Sequence, residues 1–193
     1  MPLLKDITSI RSGFLFQGGV KPDPGGQYQV VQLSDISTDG LFSDNLTYVS
    51  LSDLKPAHLI EKGDVLFASR GTRKRAASVT ESFPNLIATS QFLILHLNDG
   101  GVLPEYLAWY LNQKPAQRFI EEHSGGSSVS LINRNELGEL PVHIPPIEQQ
   151  RRIVQIYTLY LREKQLMNQI QEKRQLLIEN LLLKTLEQAE SEK

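Results

Sequence analysis

The 193 residues include no cysteine. This excludes a disulfide scaffold, a thiolate nucleophile and any cysteine-ligated metal. The four histidines, His58, His96, His123 and His143, are scattered without ligand spacing, so neither a metal centre nor a cofactor is expected. No stretch approaches the roughly 20 apolar residues of a membrane span. Residues 1–12 carry early charges without a signal-like apolar core, which predicts a cytoplasmic protein with no membrane partner. Charge of one sign is also lacking: 20 Lys and Arg stand against 22 Asp and Glu, for a net charge of −2. A globally basic, nucleic-acid-coating chain is thereby excluded, and any anion-binding surface has to be local. Walker spacings, dinucleotide glycine spacings and a nucleophile elbow are all missing. No carboxylate pair stands out from solvated surface. The absences predict a binding protein rather than a catalyst.

Proline and glycine are absent from Ile147 to Glu190, where Leu, Gln, Glu, Lys, Arg and Ile predominate. Pro145-Pro146 precedes the stretch, and proline suits a first helical position, with Glu148 favourable in the first turn. A helix of 44 residues is about 66 Å long at 1.5 Å per residue. That is too long to fold back along a small domain, so a partner is expected. Ile153, Ile156, Tyr160, Met167, Ile170, Leu177 and Leu181 recur at spacings of three, four or seven, the seam of a coiled coil and an expected dimer interface. Leu159 and Leu166 broaden the stripe; Glu163, Arg174 and Lys184 interrupt it. In an antiparallel pair, Glu163 of one helix would approach Arg174 of the other. The alternative is a helix that caps its own domain.

The preceding residues suffice for one domain with a core. Gly13 to Gly26 is rich in turn formers and contains Gln17 and Lys21, marking an exposed loop. Strands are expected over Tyr28–Leu33, Leu46–Leu51, His58–Ile60, Val65–Ala68, Ala76–Thr80, Gln91–Leu97 and Pro141–Ile144, with Gln91–Leu97 central. Asp35–Asp44 reads as a polar turn region and Glu61–Asp64 as a tight turn. Helices are expected from Pro104 to about Asn112 and from Pro115 to about Glu122, with their aromatics in the core. Asn133 is placed to cap a short helical turn. Strands followed by helices indicate an α+β domain over residues 1–145, then a long helix over 146–193.

One local patch is strongly basic: Arg70-Gly71-Thr72-Arg73-Lys74-Arg75 holds four cations in six residues. At a hairpin end it reads either as a solvated tip or as an anion-facing loop. Arginine forks onto guanine or phosphate oxygens, while Lys and Thr bind phosphates. A second flexible, hydroxyl-rich loop runs from Ser124 to Ser130 and includes Ser127 and Ser128.

The run Lys62-Gly63-Asp64-Val65-Leu66-Phe67-Ala68-Ser69-Arg70-Gly71-Thr72 resembles a segment of type I restriction–modification specificity subunits. Leu103-Pro104-Glu105-Tyr106-Leu107 and Ser124-Gly125-Gly126-Ser127 continue the resemblance. It is most specific at Leu140-Pro141-Val142-His143-Ile144-Pro145-Pro146-Ile147-Glu148-Gln149-Gln150, which is similar to the entry into that family's spacer helix. The resemblance implies a DNA target-recognition domain followed by a ruler helix, with modification (methyltransferase) and restriction subunits as partners supplying the chemistry. Members of the family carry two such units with antiparallel helices. This chain has one, so a half-subunit that homodimerises on a palindromic, interrupted site of double-stranded DNA is expected. The expected DNA-facing residues are Gln17, Lys21, Arg70, Thr72, Arg73, Lys74, Arg75, Ser127 and Ser128. Arg70 and Arg73 are assigned to bases, Lys74 and Arg75 to phosphates. A coiled-coil interaction scaffold and a module of a single-chain restriction–methylation enzyme are the alternatives.

Overall fold

Strand β7 (Phe92–Leu97) lies inside an antiparallel sheet of order β1-β7-β4-β5, completed by β1 (Thr8–Ser12), β4 (Val65–Ala68) and β5 (Ala76–Ser78). In this computed structural model the described residues are 1–37, 45–52, 54–71, 74–98, 100–125 and 131–191. Val65, Leu66 and Phe67 are fully enclosed because the sheet is covered on both faces. The period of two in a strand divides them. Val65 and Phe67, with Leu93 and Leu95 of β7, face one core cluster; Leu66 and Ala68, with Phe92 and Ile94, face another. A strand covered on both sides reads as a continuous apolar run rather than an alternation.

Helices build the first core. α2 (Pro104–Leu111) contributes Tyr106, Leu107 and Leu111, α3 (Lys114–Glu122) contributes Ala116 and Ile120, and α4 (Arg134–Gly138) contributes Leu137. The short α1 (Leu4–Ile7) adds Leu4. A three-stranded sheet of order β3-β2-β6 backs the second core through Val31, Leu86 and Ala88. Its strands are β2 (Tyr28–Val31), β3 (Thr47–Val49) and β6 (Leu86–Ala88), with β2 and β6 parallel. The α+β class expected from the sequence is the class observed.

Two local expectations are corrected, and one strand is new. His58–Ile60 is not a strand: Pro56–His58 forms a 3₁₀ turn, with Pro56 in the first helical turn and Leu59 N–H donating to its carbonyl. Pro141–Ile144 makes a single bridge, Pro141 to Leu3. Two of its carbonyls are taken instead by tyrosines, since Tyr106 Oη donates to the His143 carbonyl and Tyr110 Oη to that of Pro141. Strand β6 was not anticipated. Its three residues follow Asn85, whose φ of 54° is left-handed, and the run is too short for periodicity to register.

Two compact units divide the chain, Met1–Val154 and Gln155–Lys193. The long helix α5 (Ile147–Ser191) is 45 residues, and the division falls within it rather than at its start. Its first two turns belong to the globular unit, where Gln150 is fully enclosed and Ile153 and Val154 pack against the helical core.

Candidate nucleic-acid interface

The hairpin of β4 and β5 pairs Val65 with Ser78 and Phe67 with Ala76, which puts Arg70, Lys74 and Arg75 of the basic run between the two strands. Asn112, beyond α2, clamps the base of this tip: its Oδ1 accepts the Ala76 N–H at 2.9 Å and its Nδ2 donates to the Ala76 carbonyl at 2.8 Å. Ala68 N–H donates to the Arg75 carbonyl at 2.8 Å, so the ladder extends one residue past β5.

The tip is tied to the hydroxyl-rich loop. Arg70 bridges Leu131, and Gly125 and Leu131 exchange backbone hydrogen bonds of 3.1 Å in both directions. Ile132 N–H donates to the Ser69 carbonyl at 3.1 Å. Residues some sixty positions apart thus form one surface, which no spacing in the sequence announces.

The nine expected contact residues fall into four groups. Arg70 is exposed and Arg75 half-buried, and neither has an ion-pair partner among the described residues. Lys74 differs: it is only 6% exposed, and its Nζ donates to Ser124 Oγ at 2.5 Å. Gln17 and Lys21 are exposed on the first glycine-rich loop. Phe16 and Val20 anchor that loop on the three-stranded sheet, on the cluster of Val30, Val49 and Ile87. Gly13 starts the loop against β6, where a Cβ would lie 2.2 Å from the Thr89 carbonyl oxygen; glycine is there for close approach. Thr72, Arg73, Ser127 and Ser128 lie outside the described residues.

The resemblance-bearing motifs turn out to contain supporting residues whose roles the sequence did not disclose. Asp64, 1% exposed, accepts from Arg11 Nη2 at 3.1 Å and from the Glu61 N–H at 3.0 Å, and meets His96 Nδ1 at 2.8 Å. It closes the tight turn, where Gly63 has φ +97°, and pins β4 to β1 and β7. Gln150 accepts the Leu103 N–H at 2.9 Å and donates to the carbonyls of Gly101 and Pro145 at 3.0 and 2.9 Å. Asp64 stands directly before the apolar run Val65–Ala68, whereas Gln150 lies between Gln149 and Arg151 and nothing local marks it. Among the described residues no three His, Asp or Glu side chains gather as a metal site would require.

On α5, Ile156, Tyr160, Met167, Ile170, Leu177 and Leu181 are all more than half exposed, with Ile156 at 68%. Ile153 stands apart from this stripe, half-buried against the globular core. Leu176, Ile178, Leu182, Leu183 and Leu186 are also exposed, so the apolar surface widens beyond one seam toward the helix end.

The fold is similar to that of a type I restriction–modification S subunit from M. genitalium, with 18% identity, TM-score 0.55, and 86% of this chain and 39% of that one covered. It is similar to the HsdS subunit of Thermoanaerobacter tengcongensis at 24% identity and TM-score 0.57, covering 90% and 43%. A structure describing complex assembly and conformational transition of the type I R-M system matches at 17% identity and TM-score 0.63, covering 93% and 42%. The chain spans about two fifths of the length of these structures. Residues 3–174 match the family model described as the type I restriction modification DNA specificity domain, and the chain belongs to that family.

Proposed function

We propose that this chain is a non-catalytic, sequence-reading DNA module of a type I restriction–modification specificity subunit. Its recognition surface is the β4–β5 hairpin tip with the adjoining loop around Gly125 and Leu131. The observation that carries the reading is the junction of these two segments at Arg70 and Leu131, with Arg70 and Arg75 lacking an ion-pair partner among the described residues. Cations gathered at a hairpin end are suited to an anionic backbone, and an arginine fork is suited to a guanine edge. Arg73, Thr72, Ser127 and Ser128 belong to the same two segments, while Gln17 and Lys21 contribute from the neighbouring loop.

The exposed stripe of α5 supports the second half of the proposal, pairing with the same helix of a second copy in antiparallel register. Each large apolar side chain covered contributes about 1.5–3 kcal/mol. Two identical readers related by a two-fold axis would address a palindromic, interrupted site. At 45 residues the helix is about 68 Å long, near two turns of duplex at roughly 34–36 Å each. The leucines off the seam, among them Leu176 and Leu182, would receive helices of the modification and restriction subunits.

Gel shifts on a random-sequence duplex pool at several salt concentrations test the DNA reading. Arg70→Ala and Arg73→Ala should weaken binding, and loss of a phosphate contact should flatten the salt dependence by about 0.9 in slope. No wild-type binding at any salt concentration would leave a protein-interaction scaffold as the better description. Light scattering tests the pairing: twice the chain mass of 21.8 kDa is expected, and a monomer at micromolar concentration would sink it.

A further inference from the structure

Lysine is rarely enclosed unless paired, yet Lys74 at the basic hairpin is almost fully enclosed. Its ammonium donates to Ser124 Oγ, and that hydroxyl donates in turn to the Ile120 carbonyl. Ile120 lies near the end of α3, where terminal carbonyls lack partners within the helix and carry the negative end of its dipole. A cation fits such a place. Burial holds the Lys74 pKa below the ordinary lysine value, with the Glu121 carboxylate opposing that shift. The same loop then returns through Gly125 and Leu131 to meet Arg70. The tip is therefore held at both ends, by a backbone bridge at Arg70 and by a side-chain tie at Lys74.

We infer that Lys74 is a positioning residue. It locks the hairpin tip to the end of α3, so that the two DNA-facing segments keep one geometry, and it makes no phosphate contact of its own. This rests on the DNA-reading proposal above and deepens it. The two roles have different signatures. A lysine on a phosphate releases counterions and contributes about 0.9 to the slope of log affinity against log salt. A lock contributes nothing to that slope. Its loss acts on base readout, which needs side chains in register, more than on backbone binding, which does not.

The experiment uses the full chain, a random-sequence duplex pool, and the duplex that wild-type protein enriches from the pool. Lys74→Met should weaken binding to the enriched duplex about tenfold, which is roughly 1.4 kcal/mol. It should leave affinity for the unselected pool and both salt slopes unchanged. Ser124→Ala, which keeps the lysine charge and removes the hydroxyl that joins Lys74 to the Ile120 carbonyl, should reproduce that loss and decides the matter should the first variant fold poorly. The double variant should lose no more than either single one. A slope flatter by about one for Lys74→Met, with pool binding weakened alongside, would assign Lys74 to a phosphate and overturn the inference. So would unchanged affinity in both single variants. Failure of the wild-type protein to bind or enrich any duplex would instead remove the DNA-reading proposal beneath it.

Discussion

The side chain of Gln150, in the first turn of α5, accepts the backbone N–H of Leu103 at 2.9 Å, one residue before α2 begins. A helix start leaves such N–H groups without partners inside the helix, and here a residue 47 positions away supplies the acceptor. The same carboxamide donates to the carbonyls of Gly101 and Pro145. All these groups lie within the globular unit.

Replacing Gln150 with leucine removes every one of these bonds while keeping the volume. An unsatisfied buried polar group costs about 1–3 kcal/mol, so a loss of roughly 2–4 kcal/mol is expected. Urea denaturation of the full chain checks it, through a lower midpoint at unchanged m-value. A change below half a kcal/mol would show that water replaces the glutamine without cost.

Asp64→Asn should be more damaging than its near-identical shape suggests. The carboxylate is buried against Arg11 and His96, and its removal leaves the Arg11 guanidinium without its counter-charge. Breaking an enclosed pair costs about 3–5 kcal/mol; Arg11 retains the carbonyls of Ala57 and Leu59, so about 2–3 kcal/mol is expected. The melting temperature of the globular unit is the readout, and Arg11→Met, which leaves the enclosed carboxylate without its guanidinium and the Ala57 and Leu59 carbonyls without their donor, should lose at least as much as Asp64→Asn,.

Alkaline pH should expose the Tyr106 phenol. Burial, with Tyr110 beside it, pushes its pKa up to about 12, so the folded state keeps a proton that the unfolded state releases near 10. Where the folded state binds more protons, stability falls as pH rises. The contribution is therefore fully present below pH 10 and is lost between 10 and 12. Tyr106→Phe should cost about 1 kcal/mol at neutral pH through the missing bond to the His143 carbonyl,. Its stability should then decline less steeply than wild type above pH 10, a difference that paired denaturant titrations would reveal.

Ile170→Asp and Leu177→Asp test the helix stripe without touching the globular core. Both side chains are exposed, so denaturation of the globular unit should be unchanged. Self-association should weaken more than a hundredfold, about 2.7 kcal/mol, as sedimentation equilibrium would register. A Glu163–Arg174 double-mutant cycle should give a coupling of about 0.2–1 kcal/mol in the antiparallel arrangement. Undiminished association in the Asp variants would place the interface elsewhere.

The long helix was legible because its determinants are local: 44 residues without proline or glycine, and an apolar recurrence that needs only the 3.6-residue period to be seen. The capped turn at Asn133 was legible for the same reason. Its side chain accepts the N–H groups of Asn135 and Glu136, two and three residues on. The central strand β7 announced itself by the four consecutive apolar residues Phe92–Leu95, with Leu97 beyond His96. Strand β6 did not, since three residues beside Asn85 hold too little pattern, and its parallel pairing with β2 is set by a partner more than fifty residues away.

Charge alone marked Arg70–Arg75 as an anion-facing candidate, but could not sort its members. Lys74 and Arg75 are neighbours in the chain with the same sign, yet tertiary packing encloses one at the end of α3 and leaves the other at the tip without an ion pair among the described residues. Ile153 shares the seven-residue period of Tyr160 and Met167, but Ile153 alone of the three packs on the globular core. Local periodicity and composition thus determined which segments are helix, strand and basic loop. The division of like residues into exposed, enclosed and core required the fold, because enclosure is created by elements distant in sequence whose meeting no local pattern encodes.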